Sequence, residues 1–487
     1  MTLSYIPSDT NDEGIFKATA SGVLPNGKAV IVNADGTVSV VAETPVSQAV
    51  GSPTVYESAY AYITAAAYDA NAQKVVIAYR DNGNSDYGTA IVGTVSGTSI
   101  SFGSPVVFES AGSGSISAAY DSNAQKVVIA YSDVGNSSYG TAIVGTVSGT
   151  SISFGSPVVF ESATISATSA TYDANAQKVV IAYRDNGNSF YGTAIVGTVS
   201  GTSISFGSAT VFETGNTQYI SAAYDSNAQK VVIAYKDLGN SGYGTAIVGT
   251  VSGTSISFGS PVVFESADSS HISAVYDANA QKIAVFYQDG GNSDYGTAVV
   301  GTVSGTSISF GSPVVFESAG TASISSAYDA NAKKITVAYA DVGNSSYGTL
   351  IAGTVSGTSI SFGSPLVFEN AQTEYVASAY DDNSQKVVVA YLDAGNSGYG
   401  TSVVFQNAYN STTLTAENYI GMSTGGTYAS GSTATVKIIG NTSNEQSSLT
   451  AGQSYFVQTD GTIGLTADDP SVFAGTAISA TKLIVKT

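Results

Sequence analysis

Residues 126–140 read Lys-Val-Val-Ile-Ala-Tyr-Ser-Asp-Val-Gly-Asn-Ser-Ser-Tyr-Gly, and this stretch returns with few changes every 52 residues. Val127 to Tyr131 form an apolar run with no polar interruption. Such a run is the pattern of a strand covered on both faces of its sheet. Gly135-Asn136 then marks a turn, and a second β-rich run follows from Tyr139 to Val147. Working outward, Ser115–Tyr120 and Ser151–Phe160 read as the flanking strands, joined by Asp121-Ser122-Asn123-Ala124 and Ser148-Gly149-Thr150. Residues 111–162 are therefore a four-stranded antiparallel meander with strands a, b, c and d.

A Tyr-Asp dipeptide fixes the phase of the repeat at Tyr68, Tyr120, Tyr172, Tyr224, Tyr276, Tyr328 and Tyr380, always 52 residues apart. A repeat of this length with one meander per unit predicts an all-β, seven-bladed β-propeller of four-stranded blades. An open β-solenoid is the competing architecture. Pro53, Pro105, Pro157, Pro261, Pro313 and Pro365 fall within strand d, with Ala209 in the fourth unit. Proline cannot donate to a ladder on both sides, which places strand d at the outer edge. The last unit has strands a to c but no Ser-Ile-Ser-Phe-Gly after Phe405, while Ser47–Pro53 stands in phase ahead of the first unit. Residues 47–57 are thus expected to pair with 399–405, so that an N-terminal strand closes the last blade. The division expected is a β-rich segment at 1–45, the propeller at 46–406, and a small β domain at 407–487.

Composition narrows the function. The 487 residues carry a formal net charge of −20, with 43% hydrophobic and 11% charged residues. An acidic surface argues against nucleic acid and against anionic membranes. The absence of cysteine excludes disulfides and thiolate metal sites, and a single histidine removes most imidazole chemistry. No apolar run approaches the ~18 residues of a membrane span. Met1–Pro7 has no basic segment followed by an apolar stretch, which reads as no signal peptide. No cofactor is expected.

The turn Tyr-x-Asp-x-Gly-Asn-Ser-x-Tyr-Gly holds Asp81, Asp133, Asp185, Asp237, Asp289, Asp341 and Asp393. It distantly resembles the Asp-box turn of sialidase-type propellers, with the aromatic displaced. Asp, Gly and Asn are turn formers whose side chains bind nearby backbone N–H groups, so a structural role is the reading preferred. Calcium at these aspartates is the alternative, although one Asp and one Asn per turn is few oxygens for it. Asp86 and Asp294 depart from the repeat but read as drift rather than as a glycosidase pair. With only Arg80 and Arg184, the chain lacks a sialidase arginine triad, and His271 has no evident orienting partner in the sequence. An enzymatic function is not expected.

Units differ mainly in the d–a and b–c connections, which in a meander share one face of the disc. There lie Tyr60, Tyr62, Arg80, Arg184, Phe190, Tyr219, Lys236, His271 and Tyr375. Aromatic and cationic side chains on loops of a rigid scaffold suit recognition, with a cell-surface glycan the expected ligand. Drift after duplication, wherever packing is loose, is the other explanation of the same pattern.

The flanks add a resemblance. Leu449–Val457, Asp460-Gly461 and Ala474–Leu483, with Gly22–Gly27 and Asp35-Gly36-Thr37, resemble modules on virion structural proteins of marine, cyanophage-like tailed phages. The propeller repeats are likewise similar to those of phage fibre-like proteins. The resemblance implies a virion-exposed, fibre-like protein on tail or capsid exterior, with a host-surface glycan or receptor as ligand. It implies other virion proteins as partners of the flanks, and homo-oligomerisation by strand addition is a further expectation. A capsid decoration protein and a secreted lectin or adhesin are the alternatives.

Overall fold

The computed structural model describes residues 14–485; the Met1–Pro7 reading lies outside them. Ser47–Asn407 form one compact unit, and the two flanks together form another.

In the repeat unit, strand b runs Lys126–Asp133 and pairs with a on one side and with c, Tyr139–Ser148, on the other. Val127 to Tyr131 are fully buried, as a strand sandwiched between neighbouring blades requires. The Tyr131 hydroxyl cannot be left unpaired there, and it donates to Glu109 Oε2 at 2.9 Å. The same pair recurs as Tyr79–Glu57, Tyr183–Glu161, Tyr235–Glu213, Tyr287–Glu265, Tyr339–Glu317 and Tyr391–Glu369. Phe108 packs against both Tyr131 and Phe154, with ring centroids 5.2 and 5.8 Å away.

Two local expectations change. Strand d is broken: Ser151–Phe154 pairs with c, Gly155 N still donates to the Val144 carbonyl, and Ser156-Pro157 then leaves the ladder before pairing resumes at Val158. The prolines therefore sit in a gap of the edge strand, where no ladder N–H is required. The d–a connection is also not a loop. Val158–Asp173 is one 16-residue strand whose first part pairs with c of its own unit. Its last part pairs with b of the next unit. Each blade is thereby joined to the next by continuous extended backbone.

Adjacent units are also bonded near the axis. The Tyr120 hydroxyl accepts from Asn71 N at 3.0 Å, and Tyr68 accepts from Asn383 N at 3.1 Å, which links last unit to first. Ser117 Oγ accepts from Ala170 N, a rung repeated up to Ser325 and Ser378 N. Ala65 and Ala377 stand at the serine position in the first and last units and cannot make it. Closure itself follows expectation. Val50 and Ala49 pair with Phe405 and Gln406, and Thr54–Tyr60 pairs with Tyr399–Ser402. Seven four-stranded units thus form the propeller among the described residues.

The flanks do not form two separate segments. Ile15–Thr19 pairs with Thr433–Lys437, and Ala29–Val32 pairs with Tyr419–Thr424, so one sheet draws strands from both ends of the chain. The hairpin at Asp35-Gly36 forms its edge, with Val30 opposite Val40. A second sheet of C-terminal strands contributes Val457, Val472 and Leu483 to a core shared with Ile31, Tyr419 and Met422.

The buried Tyr–Glu pairs set an acid response. Burial pushes the Glu109, Glu161, Glu317 and Glu369 carboxyls above their ordinary value, and at Glu109 the Tyr131 hydrogen bond opposes it. Native carboxyls then take up protons at a higher pH than the unfolded chain does. Unfolding releases those protons, so stability rises as pH falls from neutral towards the ordinary glutamate value of 4.5. Asp35, Asp86 and Glu445 shift the other way and are fewer. Relief of self-repulsion in a chain of net charge −20 acts in the same direction as the raised carboxyls. Melting temperature is expected to be higher at about pH 5 than at about pH 7.5. A melting temperature lower at about pH 5 than at about pH 7.5 would contradict the assignment.

Candidate functional site

At the start of strand a the ladder slips, and the slip builds the face. Tyr62 opposes Arg80, but the register shifts before Ala65 opposes Ala78. The residue inside the slip takes a left-handed backbone. It is Ile63, Ser115, Ala167, Tyr219, His271, Ser323 or Tyr375, with φ between 44° and 50°. These residues touch round the ring. Tyr219 and His271 have ring centroids 5.1 Å apart, His271 Nδ1 accepts from Ser323 N at 3.3 Å, and Thr64 Oγ1 donates to the Tyr375 carbonyl. His271 therefore has the orienting partner that the sequence does not reveal. Burial and the nearby Lys236 charge hold its imidazole below the ordinary value.

The b–c turn supplies the rest. Asp81 caps a short 3-10 turn, its Oδ1 accepting from Asn84 N at 3.1 Å; five of the other aspartates accept from the equivalent asparagine N, and Asp289 accepts from Gly291 N at 3.0 Å. That is the structural role preferred for the motif. Among the described residues no three acidic or imidazole groups gather as metal ligands.

The structure divides the nine expected residues among three stations. In the first, Tyr60, Tyr62, Arg80 and Tyr375 come together across the junction of the last unit and the first. Tyr62 lies 4.5 Å from Tyr60 and 5.9 Å, edge-on, from Tyr375. Arg80 Nη2 meets Asp86 Oδ2 at 2.7 Å, and Asn82 Nδ2 meets Asp86 Oδ1 at 2.9 Å. These bonds hold the Asp86 carboxyl below its usual range. A cavity of about 250 Å³ opens between Tyr62, Arg80, Asn82, Asp86 and Tyr375. In the second station the Arg184 guanidinium stacks 4.4 Å over Phe190. In the third, Lys236 pairs with Asp268, bonds Ser270 Oγ at 3.3 Å, and lies 5.9 Å from the Tyr219 ring, against which His271 packs.

The differences between units are coupled, which drift alone does not produce. Gly398 faces Tyr60, and a Cβ there would lie 2.2 Å from the tyrosine ring. Gly242 faces Asp268, and its Cβ would lie 2.7 Å from Asp268 Oδ1. Asn82 and Asp268 were not singled out in the sequence. Comparing each b–c turn with the strand 26 residues on, Gly242 with Asp268, would have revealed Asp268.

No family model and no curated protein matches this sequence. Among solved structures, the chain is similar to the BP39L lectin from Burkholderia pseudomallei. The TM-score is 0.54 at 11% identity, covering 75% of this chain and 99% of that one. The Cps50 (Swd1) β-propeller of Myceliophteria thermophila aligns at TM-score 0.46 and 8% identity, covering 73% and 99%. The fucose-specific lectin of Aleuria aurantia aligns at 0.41 and 15%, covering 64% and 98%. At such identities the first likeness shows the β-propeller fold.

Proposed function

We propose that the propeller is a non-enzymatic carbohydrate-recognition module that binds through this face. The observation that carries the reading is the Arg80–Asp86 pair set in a cleft between the Tyr62 and Tyr375 rings. Guanidinium and carboxylate side by side present donors and acceptors at the spacing of adjacent sugar hydroxyls. The tyrosines offer flat apolar faces to the C–H side of a pyranose. BP39L, a lectin, shares the scaffold and lends the reading support. Display on the exterior of a phage particle, tail or capsid, with the flanks joined to other virion proteins, is the setting we favour. It rests on the sequence resemblance of flanks and repeats alone, and a secreted lectin would use the same face.

Arg80→Gln and Tyr62→Ala are each expected to weaken glycan binding about tenfold or more, the loss of a charged hydrogen bond or a stacking face. Calorimetric titration beside thermal melts measures this on folded protein. Unchanged binding in both variants, or no glycan bound by the intact protein on an array, would refute the proposal.

A further inference from the structure

Three cations occupy the same position in strand b of different units: Arg80, Arg184 and Lys236. Two of them are neutralised, each by a different device. Arg80 is paired by Asp86 from its own b–c turn. Lys236 is paired by Asp268 from the strand entering the next unit. In the unit of Arg184 these two positions are held by Phe190 and Asn216. Both acids are thus replaced at once, in a chain with more than twice as many acidic as basic residues.

The groups around Arg184 remain unsatisfied. Arg184 Nε and Asn216 Oδ1 are buried and have no hydrogen-bond partner; Arg80 Nε is unpartnered too, but its guanidinium has Asp86, whereas that of Arg184 has no acid. Buried polar atoms are ordinarily paired, so an orphaned Nε on a guanidinium with no counter-ion marks a place for an outside partner. Phe190 is also costly where it stands. It is 42% exposed and takes φ 65, a left-handed backbone at which two other units use Gly242 and Gly398. An exposed bulky ring in that conformation gains little from burial, and such strain is kept at functional positions. What the ring does is hold the guanidinium plane, 4.4 Å above one of its faces.

We infer that Arg184 and Phe190 form a second, chemically distinct station that takes a carboxylate-bearing sugar, such as a uronic acid residue. The inference rests on the carbohydrate reading above and adds the ligand class. A planar guanidinium with no internal counter-ion matches a carboxylate with two parallel bonds. The exposed part of Phe190 covers the sugar ring beside it. Arg80, already paired, serves neutral hydroxyls instead.

The chain has two arginines, so each Nε–H gives its own side-chain resonance, assigned by loss in Arg184→Gln or Arg80→Gln. The intact protein is titrated with glucuronate, glucose and acetate by heteronuclear NMR. Glucuronate is expected to shift the Arg184 signal saturably, and glucose to leave it in place. Arg184→Gln should weaken glucuronate binding about tenfold or more. Phe190→Gly, which suits the left-handed backbone, should keep the fold and weaken binding too. An Arg184 signal unmoved by glucuronate, or moved equally by glucose, overturns the inference. If the neutral sugar still shifts Arg80, the recognition reading survives that failure. Acetate matching glucuronate at equal concentration would leave a bare anion site and overturn the sugar assignment. Response of Arg184 to no ligand and of Arg80 to no sugar would end both.

Discussion

Deletion of residues 1–58 is expected to abolish cooperative folding of the propeller. The segment supplies the outer strand of the last blade, with Thr54–Tyr60 paired to Tyr399–Ser402 and Ala49-Val50 to Phe405-Gln406. It also places Tyr56 against Tyr79 at 5.2 Å, a contact between the last blade and the first. Without it Val403, Val404 and Phe405, now buried, lose their edge partner, and the ring becomes an open array. The net stability of a domain is only about 5–15 kcal/mol, so a defect of this kind removes most of the margin. The deletion also takes a strand from the flanking unit, so a second chain separates the effects. It carries residues 59–408, a Gly-Thr turn and then residues 47–58, which returns the strand to the same ladder from the other end. The Gly-Thr copies the c–d turn of the other units, such as Gly149-Thr150. Thermal melts should show a single transition for the rearranged propeller and none for residues 59–408 alone. Equal melting of the two would mean that the strand does not close the ring.

Gly155→Ala should destabilise the propeller by about 3 kcal/mol, the upper part of the range for overpacking. A Cβ at Gly155 would lie 1.8 Å from the Thr202 carbonyl oxygen, in the c–d turn of the next unit. The same approach recurs at Gly51, Gly103, Gly207, Gly259 and Gly311. Backbone cannot rotate aside as a side chain can, so the two blades must separate locally. The chain contains its own control. Gly363, in the unit before the closing blade, has only the Ala352 carbonyl within reach, at 3.8 Å. The closing blade has no c–d turn there, because its outer strand comes from the N-terminal end. Gly363→Ala should therefore cost little. Denaturant unfolding of both variants measures the difference, and equal losses would show that the glycine serves its own strand rather than the blade junction.

The origin of the closing strand was legible because register travels with sequence phase. Ser47 stands 52 residues before Ser99, and a strand moved to the other end of the chain keeps its pattern of faces. The buried run Val127–Tyr131 was legible for a similar reason, since apolar continuity depends on how many faces are covered. The shared sheet of the flanks was not. Ile15–Thr19 and Thr433–Lys437 are far apart in the chain, and neither announces its partner by period or motif. The d–a segment was read as a loop because its residues vary, yet variation there reflects side chains at a slip in an unbroken strand.

For the variable face, the sequence alone determined which positions differ among otherwise identical units, and therefore the residue types available on one side of the disc. Repetition does this by making every departure visible against the other copies. Only the tertiary structure decided how those residues combine. Tyr375 and Tyr62 are over three hundred residues apart in the chain and meet because the ring closes. Asp86 neutralises Arg80, Asp268 neutralises Lys236, and Arg184 has neither. Pairing of charges depends on distances of a few ångströms across turns and blade junctions, and a linear pattern holds no such distances.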